Sequence, residues 1–252
     1  MPNSQMRRLA RAVARPVRQR AMRKQFRASF DAFVKAAGRA PRFPAEWSDA
    51  EQQPGDATEY TTFDEHYIYH PAWAARILAR TRPAVHVDIS STLAFCSIVS
   101  AFMPVRFYDY RPARLSLGNL TCEKADLLSL PFADGSVASL SCMHTVEHVG
   151  LGRYGDPLDP DGDLKAIAEL TRVLAPGGDL LFVVPTGRPK VVFNAHRIYS
   201  FDQIRNAFVD LSLEEFSLIP DDAQTRGLIA HASKETADRQ RYGCGCYWFR
   251  KT

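Results

Sequence analysis

The chain has 252 residues, an apolar fraction of 46% and a net charge of +4, which predicts one folded domain with an appendage. A domain of this size buries enough apolar surface to fold without a disulfide or a structural metal. The five cysteines form no even framework, so we expect a reducing, cytoplasmic compartment. No apolar run approaches the roughly 20 residues that cross a bilayer.

The charge of the chain is divided unevenly between its N-terminal segment and the rest. Residues 1–35 contain ten Lys and Arg but one acid, a charge of +9, whereas the remainder contains 22 basic and 27 acidic residues, a charge of −5. The main part of the chain therefore lacks the basic footprint of a nucleic-acid-binding domain, and we predict no nucleic-acid partner.

The N-terminal segment has the apolar spacing of a helix over residues 4–37. Its apolar positions form two sets: Met6, Leu9, Val13 and Val17, then Met22, Phe26, Phe30 and Phe33. Pro16, between the sets, disfavours one straight rod. We therefore divide the chain into a basic helical arm (1–38), a Pro-rich polar linker (39–63) and a domain (64–252). The arm is open to four interpretations: a solvated helix, a helix packed on its own domain, a transit peptide, or peripheral attachment of residues 1–37 to an anionic membrane.

Short apolar strands alternate with helices from about residue 64 onward. The predicted strands are 84–89, 105–108, 121–124, 137–143, 179–184, 211–219 and 246–250, and the predicted helices are 93–102, 163–174 and 201–208. This alternation predicts an α/β fold with a doubly wound, mostly parallel Rossmann-like sheet and helices on both faces. In such sheets ligands bind outside the carboxyl ends of the strands, so the loops there are the candidate site.

The turn after the first strand lacks the glycines that let a nucleotide approach the backbone closely. Ser90, Thr92 and Ala94 occupy the three small positions instead, which makes this motif a weak one. Asp109 follows the second strand, 21 residues after Asp88, where an acid usually binds ribose hydroxyls. The position of Asp109 is equally typical of an aspartate that ends a strand and caps the following turn.

Three ordered stretches carry a more specific pattern. Residues 125–136 contain an aspartate, Leu-Pro-Phe and Asp-Gly-Ser; residues 143–149 contain Glu-His-Val; residues 173–178 read Val-Leu-Ala-Pro-Gly-Gly. The set resembles the class I S-adenosylmethionine-dependent methyltransferases over roughly residues 84–220, in a branch whose glycine loop is degenerate. A nicotinamide-dependent oxidoreductase shares the sheet, but nothing after the second strand favours it.

The resemblance implies S-adenosylmethionine as cofactor and methyl transfer to a small-molecule or glycan-type acceptor. It implies that Asp109 holds the ribose, that Asp126 meets the adenine amino group beside Leu127, and that His144 faces the transferring methyl as a base. The implied cofactor residues are Asp88, Ser90, Ser91, Thr92, Asp109, Asp126 and Leu127, and the implied catalytic residues are His144 and Glu147. Because the glycines are missing, the alternative is a non-catalytic, methyltransferase-like scaffold that has lost cofactor binding.

Three further motifs have ordinary structural explanations. His144-x-x-Glu147-His148 matches an inverted zinc-hydrolase pattern, but Gly150 follows within a turn, so we predict no metal there. The acidic run 156–163 lacks the bidentate Glu of a calcium loop and predicts a rim loop that ends at a helix N-cap. Arg197 suits an anionic acceptor such as a sugar phosphate, or a surface salt bridge.

Overall fold

The computed structural model describes the backbone of residues 4–39 and 41–252, and the side chains of residues 19–39 and 41–252. The chain separates into two compact units, Met1–Thr62 and Phe63–Thr252. The first unit contains helix α1 (Ser4–Ala37), which runs through Pro16 as one element. The side chains of the first predicted apolar set, Met6 to Val17, lie outside the described ones.

A small aromatic cluster stabilises the first unit. Trp47, in a short 3-10 turn, packs against Phe26 and Phe30 of α1 with ring centroids 5.5 and 5.2 Å apart. The Arg27 guanidinium lies 4.4 Å from the centroid of the Trp47 ring. Part of the predicted linker therefore packs on the helix, while Phe33 remains 65% exposed. No helix in the described part of the chain is long and apolar enough to span a membrane.

Attachment of the basic arm to an anionic membrane remains a prediction. Deleting residues 1–37 should abolish sedimentation with phosphatidylserine vesicles, because each Lys or Arg near such a surface contributes up to about 1 kcal/mol. Binding of full-length protein should also disappear at 1 M salt, where the Debye length is about 3 Å. Phe33→Ser removes an exposed apolar side chain and leaves the charge of the arm unchanged. Weaker sedimentation of this variant would show that apolar insertion contributes beside charge attraction. Full-length protein that ignores these vesicles at low salt would contradict the prediction.

The second unit consists of strands connected mainly by helices. Its strands are β1 (His86–Ile89), β2 (Val105–Asp109), β3 (Leu120–Lys124), β4 (Val137–Met143), β5 (Leu174–Thr186), β6 (Lys190–Val192), β7 (His196–Ile198), β8 (Leu211–Ile219) and β9 (Gly243–Lys251). Its helices are α2 (Glu65–Thr81), α3 (Leu93–Val99), α4 (Gly162–Val173), α5 (Phe201–Ala207), α6 (Ala223–Arg226) and α7 (Lys234–Asp238).

Seven strands form one sheet in the order β3-β2-β1-β4-β5-β9-β8. β9 pairs antiparallel with both β5 and β8, and the other described pairings of this sheet are parallel. The predicted fold class is confirmed. The strand order reverses direction between β1 and β4, and a doubly wound sheet opens its ligand crevice at the carboxyl ends beside that point.

Side chains of the central strands alternate between two cores, one on each face of the sheet. On β5, Phe182 packs into the core that α4 and α5 cover, and Val183 packs into the core that α2 and α3 cover. Because both faces are buried, the central strands appear in the sequence as nearly continuous apolar runs. This is why their positions could be predicted closely.

The elements that the sequence predicted less well have local causes. α2 was not predicted; Asp64 begins it by accepting a hydrogen bond from the Tyr67 amide at 3.2 Å. β5 starts at Leu174, earlier than predicted, because Leu174 pairs with Val137 before an irregularity at Pro-Gly-Gly lets Asp179 pair with Ser139. The helix after Ser200 is confirmed, and a capping box between Ser200 and Gln203 fixes its start.

Candidate functional site

A cavity of about 610 Å³ opens at the carboxyl ends of β1, β2 and β4, within the range of small-molecule sites. Seven of the nine predicted site residues line it: Ser90, Ser91, Asp109, Asp126, Leu127, His144 and Glu147. They come from four separate loops. The shared edge of a parallel sheet is what brings them together.

The turn after β1 keeps a left-handed bend without glycine. Ser90 has φ = 55°, a conformation that costs a residue with a Cβ about 1–2 kcal/mol. Its amide donates to the carbonyl oxygen of Tyr108 at 2.8 Å, and its own carbonyl accepts from the Thr145 hydroxyl at 2.8 Å. These bonds hold the turn against β2 and the end of β4.

Asp88 and Thr92, the other two predicted cofactor residues, position this turn and do not line the cavity. The buried Asp88 carboxylate accepts hydrogen bonds from the Ser91 amide at 3.0 Å and from the Ser141 hydroxyl. Burial raises the pKa of Asp88 to about 6. Thr92 is the N-cap of α3 and accepts from the Phe95 amide at 3.2 Å. Both side chains are therefore occupied by the protein itself.

Two carboxylates at the ends of β2 and β3 each leave an oxygen free for a ligand. Asp109 Oδ1 accepts from the Arg111 amide at 2.7 Å, and Asp126 Oδ1 accepts from the Leu128 amide at 2.9 Å. The Oδ2 of each makes no hydrogen bond to the described residues. Leu127, next to Asp126 in the loop after β3, presents a mostly buried apolar wall. The arrangement offers hydrogen-bond acceptors beside an apolar surface.

His144 follows β4, and both of its ring nitrogens have partners. Nδ1 lies 2.9 Å from Oε1 of Glu147, and Nε2 lies 3.3 Å from Sγ of Cys244. Because an ionised carboxylate can only accept, the network assigns the proton to Nδ1, and Nε2 accepts from the thiol. Glu147 is 1% exposed, and its Oε2 is buried without a hydrogen-bond partner among the described residues.

His148 lies in the same short turn, and one of its ring nitrogens makes no hydrogen bond to the described residues. Its Nδ1 is 2.6 Å from the carbonyl oxygen of Ala195 and 3.3 Å from a guanidinium nitrogen of Arg153. The carbonyl oxygen can only accept and is much the closer partner, so we assign the proton to Nδ1. Its Nε2 lies 3.8 Å from Oε1 of Glu147. Burial lowers the pKa of His148, which keeps the ring neutral at neutral pH. Of the side chains of His144, Glu147 and His148, only that of His148 has an unprotonated ring nitrogen, Nε2, without a hydrogen-bond partner among the described residues.

Four tyrosines that the sequence analysis did not assign to the cofactor or catalytic sets also line the cavity. Tyr67, Tyr110, Tyr154 and Tyr242 are 43–51% exposed. The guanidinium groups of Arg111 and Arg153 lie 4.8 and 5.2 Å from the centroid of the Tyr154 ring. Tyr67 comes from the unpredicted helix α2 and Tyr242 precedes β9, so no local motif marks them.

Arg197 is neither an acceptor ligand in this cavity nor part of a surface salt bridge, which corrects both interpretations of the sequence. It is 7% exposed. Its guanidinium donates to the carbonyl oxygens of Val149 at 2.7 Å and Pro160 at 3.1 Å, and its Nε lies 3.6 Å from Asp163. Arg197 therefore fixes the rim loop between the 3-10 turn at 146–148 and α4.

The rim loop is closed further by its own residues. The Asp156 carboxylate accepts from the amides of Gly150 at 2.8 Å and Tyr154 at 3.1 Å. Gly150 has φ = 80°, and a Cβ there would lie 2.0 Å from the Asp159 carbonyl oxygen. The loop ends at Asp161, which is the N-cap of α4 but makes no capping side-chain bond. The acids of this run thus serve the fold of the loop.

Comparison with known families and structures agrees with this geometry. A family described as a methyltransferase domain matches residues 73–182, and one described as a Caenorhabditis protein of unknown function, DUF268, matches residues 134–239. The search of curated proteins found no match.

Solved structures with similar folds include three whose sequences are distant from this chain. A proposed sarcosine dimethylglycine methyltransferase from Galdieria sulphuraria is 15% identical, with a TM-score of 0.51 over 72% of this chain and 85% of its own. A proposed methyltransferase from Bacillus halodurans is 14% identical, with a TM-score of 0.50 over 72% and 98%. The 1,6-didemethyltoxoflavin-N1-methyltransferase of Burkholderia thailandensis, solved with its acceptor and S-adenosylhomocysteine, is 13% identical, with a TM-score of 0.50 over 73% and 78%.

The domain thus has the Rossmann-like fold of class I methyltransferases, with β9 as its antiparallel strand between β5 and β8. Residues 73–182 match the methyltransferase-domain family, and the domain shares its fold with these solved methyltransferases.

Proposed function

We propose that the protein transfers a methyl group from S-adenosylmethionine to a small-molecule or glycan-type acceptor. The observation that carries this proposal is that one cavity joins the free carboxylate oxygens of Asp109 and Asp126 to the free imidazole nitrogen of His148. A cofactor at the ends of β1 to β3 and an acceptor at the end of β4 would then share one enclosed volume.

The cofactor half of the cavity has the chemistry that S-adenosylmethionine requires. A carboxylate can accept hydrogen bonds from ribose hydroxyls, and Asp109 Oδ2 is available for this. Asp126 can accept from the adenine amino group, with Leu127 against the base. Ser90 and Ser91 line the end nearest β4, where the methionine portion would lie.

The acceptor half combines flat aromatic surfaces with a base. Exposed tyrosine rings supply broad contact area at low entropic cost and suit a ring-shaped acceptor such as a sugar or a heterocycle. Methyl transfer from a sulfonium depends mostly on alignment of nucleophile, methyl and leaving sulfur. A base is needed where the acceptor retains its proton, and Nε2 of His148 would take that proton. We assign the role of base to His148 and not to His144, because both ring nitrogens of His144 already have hydrogen-bond partners.

One observation favours the second candidate, a non-catalytic scaffold. The backbone amides of the turn after β1 are already used by the protein, Ser90 toward Tyr108 and Ser91 toward Asp88. In a glycine loop such amides and the adjacent space serve the ligand. The two candidates differ in whether the cavity binds S-adenosylhomocysteine.

Asp109→Ala should weaken S-adenosylhomocysteine binding about 10–150-fold, because a lost hydrogen bond to a charged group costs about 1.5–3 kcal/mol. Isothermal titration calorimetry would measure this. Asp134→Ala is the matched control, since Asp134 lies on the β3–β4 turn, pairs with Arg172 and does not line the cavity. Wild type that does not bind at millimolar ligand would favour the scaffold. Equal affinity for wild type and Asp109→Ala would remove Asp109 from the site.

A further inference from the structure

Three side chains with metal-ligand chemistry meet behind the acceptor end of the cavity. They are His66 at the start of α2, His144 after β4 and Cys244 at the start of β9. One ligand atom from each lies within 4.8 Å of the others. His144 and Cys244 are 100 residues apart in the chain, so the tertiary fold alone assembles the group.

We propose that His66, His144 and Cys244 bind a zinc ion. Two imidazole nitrogens and a thiolate are a typical zinc donor set, with Zn–N distances of about 2.0–2.1 Å and Zn–S of about 2.3 Å. Around a tetrahedral ion these distances place a nitrogen and a sulfur roughly 3.5 Å apart. His144 Nε2 and Cys244 Sγ are already 3.3 Å apart. The His66 ring stacks on that of His144 with centroids 5.3 Å apart, so His66 must turn to direct a nitrogen at the same ion.

The hydrogen bonds around His144 are those of a metal-binding histidine. Its Nδ1 donates to Oε1 of Glu147 at 2.9 Å, and this bond leaves the Nε2 lone pair directed at Cys244. A histidine that binds zinc almost always donates its other N–H to a carboxylate or carbonyl in this way. Oε2 of Glu147 is buried without a partner, and a nearby cation would offset the cost of burying that charge.

His70 provides an independent observation that points to the same ion. It lies four residues after His66 on α2, so the two histidines share a helix face, a spacing that recurs in zinc sites. Its Nδ1 donates to the His66 carbonyl oxygen at 2.6 Å. Its Nε2 therefore carries a lone pair, and that atom is buried without a hydrogen-bond partner among the described residues. The His70 ring centroid is 5.1 Å from that of His144, so His70 lies beside the cluster, although the three grouped ligand atoms do not include one of its own.

The same contacts also resemble a nucleophile, base and orienting carboxylate: Cys244, His144 and Glu147. Cys244 is fully buried and does not line the cavity, so its sulfur cannot reach a substrate. A structural ion needs no such access. It would connect the start of α2 and the start of β9 to the end of β4, and thereby fix Tyr67 and Tyr242 at the cavity wall. The proposal does not depend on methyl transfer.

The test measures the metal directly on untagged full-length protein. After exhaustive treatment with chelator, wild type should take up one zinc per chain, as measured by mass spectrometry of the metal content, and its thermal midpoint should rise. Cobalt substitution should give the charge-transfer absorption of a thiolate ligand. Cys244→Ser should lose that absorption and the thermal response, whereas Cys96→Ser, which removes an equally buried cysteine outside the cluster, should retain both.

Glu147→Gln is a second test in case Cys244→Ser fails to fold, because glutamine has the same shape as glutamate. It should weaken zinc affinity about 10–100-fold, as loss of an orienting carboxylate does elsewhere. The proposal is wrong if wild type takes up no stoichiometric zinc at micromolar concentration, or if Cys244→Ser binds zinc and cobalt as the wild type does.

Discussion

Replacing His148 by alanine is expected to lower methyl-transfer turnover about 10²–10⁴-fold, the usual contribution of a positioned base. The reason is the fixed protonation of its ring: Nδ1 donates to the carbonyl of Ala195, so Nε2 is the unprotonated nitrogen beside the acceptor end. Turnover would be followed as S-adenosylhomocysteine release with an acceptor found by screening. Affinity for S-adenosylhomocysteine should stay nearly unchanged, because His148 follows β4, whereas the proposed cofactor carboxylates Asp109 and Asp126 lie at the ends of β2 and β3.

The pH profile distinguishes a base from a residue that only shapes the cavity. The base must be neutral, so the rate should fall at acidic pH, through the pKa of His148. Burial lowers that pKa, with a smaller opposing effect from Glu147, so the rate should be at its plateau at neutral pH. His148→Ala should lose the acidic limb. A variant that retains both wild-type turnover and the acidic limb would exclude His148 as the base.

His144 is expected to behave differently from His148. Its Nδ1 and Nε2 are held by Glu147 and Cys244, and its φ of 57° is a strained conformation for a non-glycine residue. We therefore assign it to positioning the turn that carries Glu147 and His148. The resemblance implies a base in this loop, and the hydrogen bonds show which of its two histidines has a nitrogen without a partner among the described residues.

Much of the fold and seven residues of the cavity could be predicted, because the strands and the loops after them follow local pattern. Buried parallel strands are continuous apolar runs, and the residues after them must meet at one edge of the sheet. That reasoning predicts Asp109 at the site, and the resemblance to class I methyltransferases adds Asp126 and Glu147; all three line the same cavity. Asp88 was also predicted to bind the cofactor. It lies near the end of β1, but its carboxylate accepts buried hydrogen bonds from the Ser91 amide and the Ser141 hydroxyl and does not line the cavity.

The rest of the site could not be predicted because it depends on contacts between distant segments. Tyr67 and His66 come from α2, whose first turn carries no apolar stripe that a pattern search would detect. Tyr242 and Cys244 come from the last strand and the turn before it. Their approach to His144 depends on β9 pairing antiparallel with β5, and sequence spacing contains no record of that pairing.

Arg197 shows how a charged residue can be misassigned from the sequence. A surface arginine after a strand is a reasonable ligand for an anionic acceptor, but here the guanidinium is surrounded by backbone carbonyls of the rim loop. Five N–H donors in a planar group allow one side chain to satisfy several of these carbonyls at once. The same loop presents Tyr154 to the cavity, so the geometry of the acceptor end depends on Arg197.

Arg197→Leu is accordingly expected to lower the free energy of unfolding by about 3–5 kcal/mol, because it leaves buried carbonyls without a donor and removes the cation beside Asp163, which keeps only the Tyr199 hydroxyl among the described residues. In a domain of this size that corresponds to a fall in the thermal midpoint of roughly 6–20 °C, measured by calorimetry. Arg153→Leu is the control: Arg153 is exposed and donates to a single carbonyl, that of Ala195, so its loss should cost less than about 1.5 kcal/mol. Arg197→Lys should recover little, since an ammonium group cannot span carbonyls of both Val149 and Pro160. If Arg197→Leu and Arg153→Leu have equal midpoints, the rim loop is held by Asp156 and Gly150 alone.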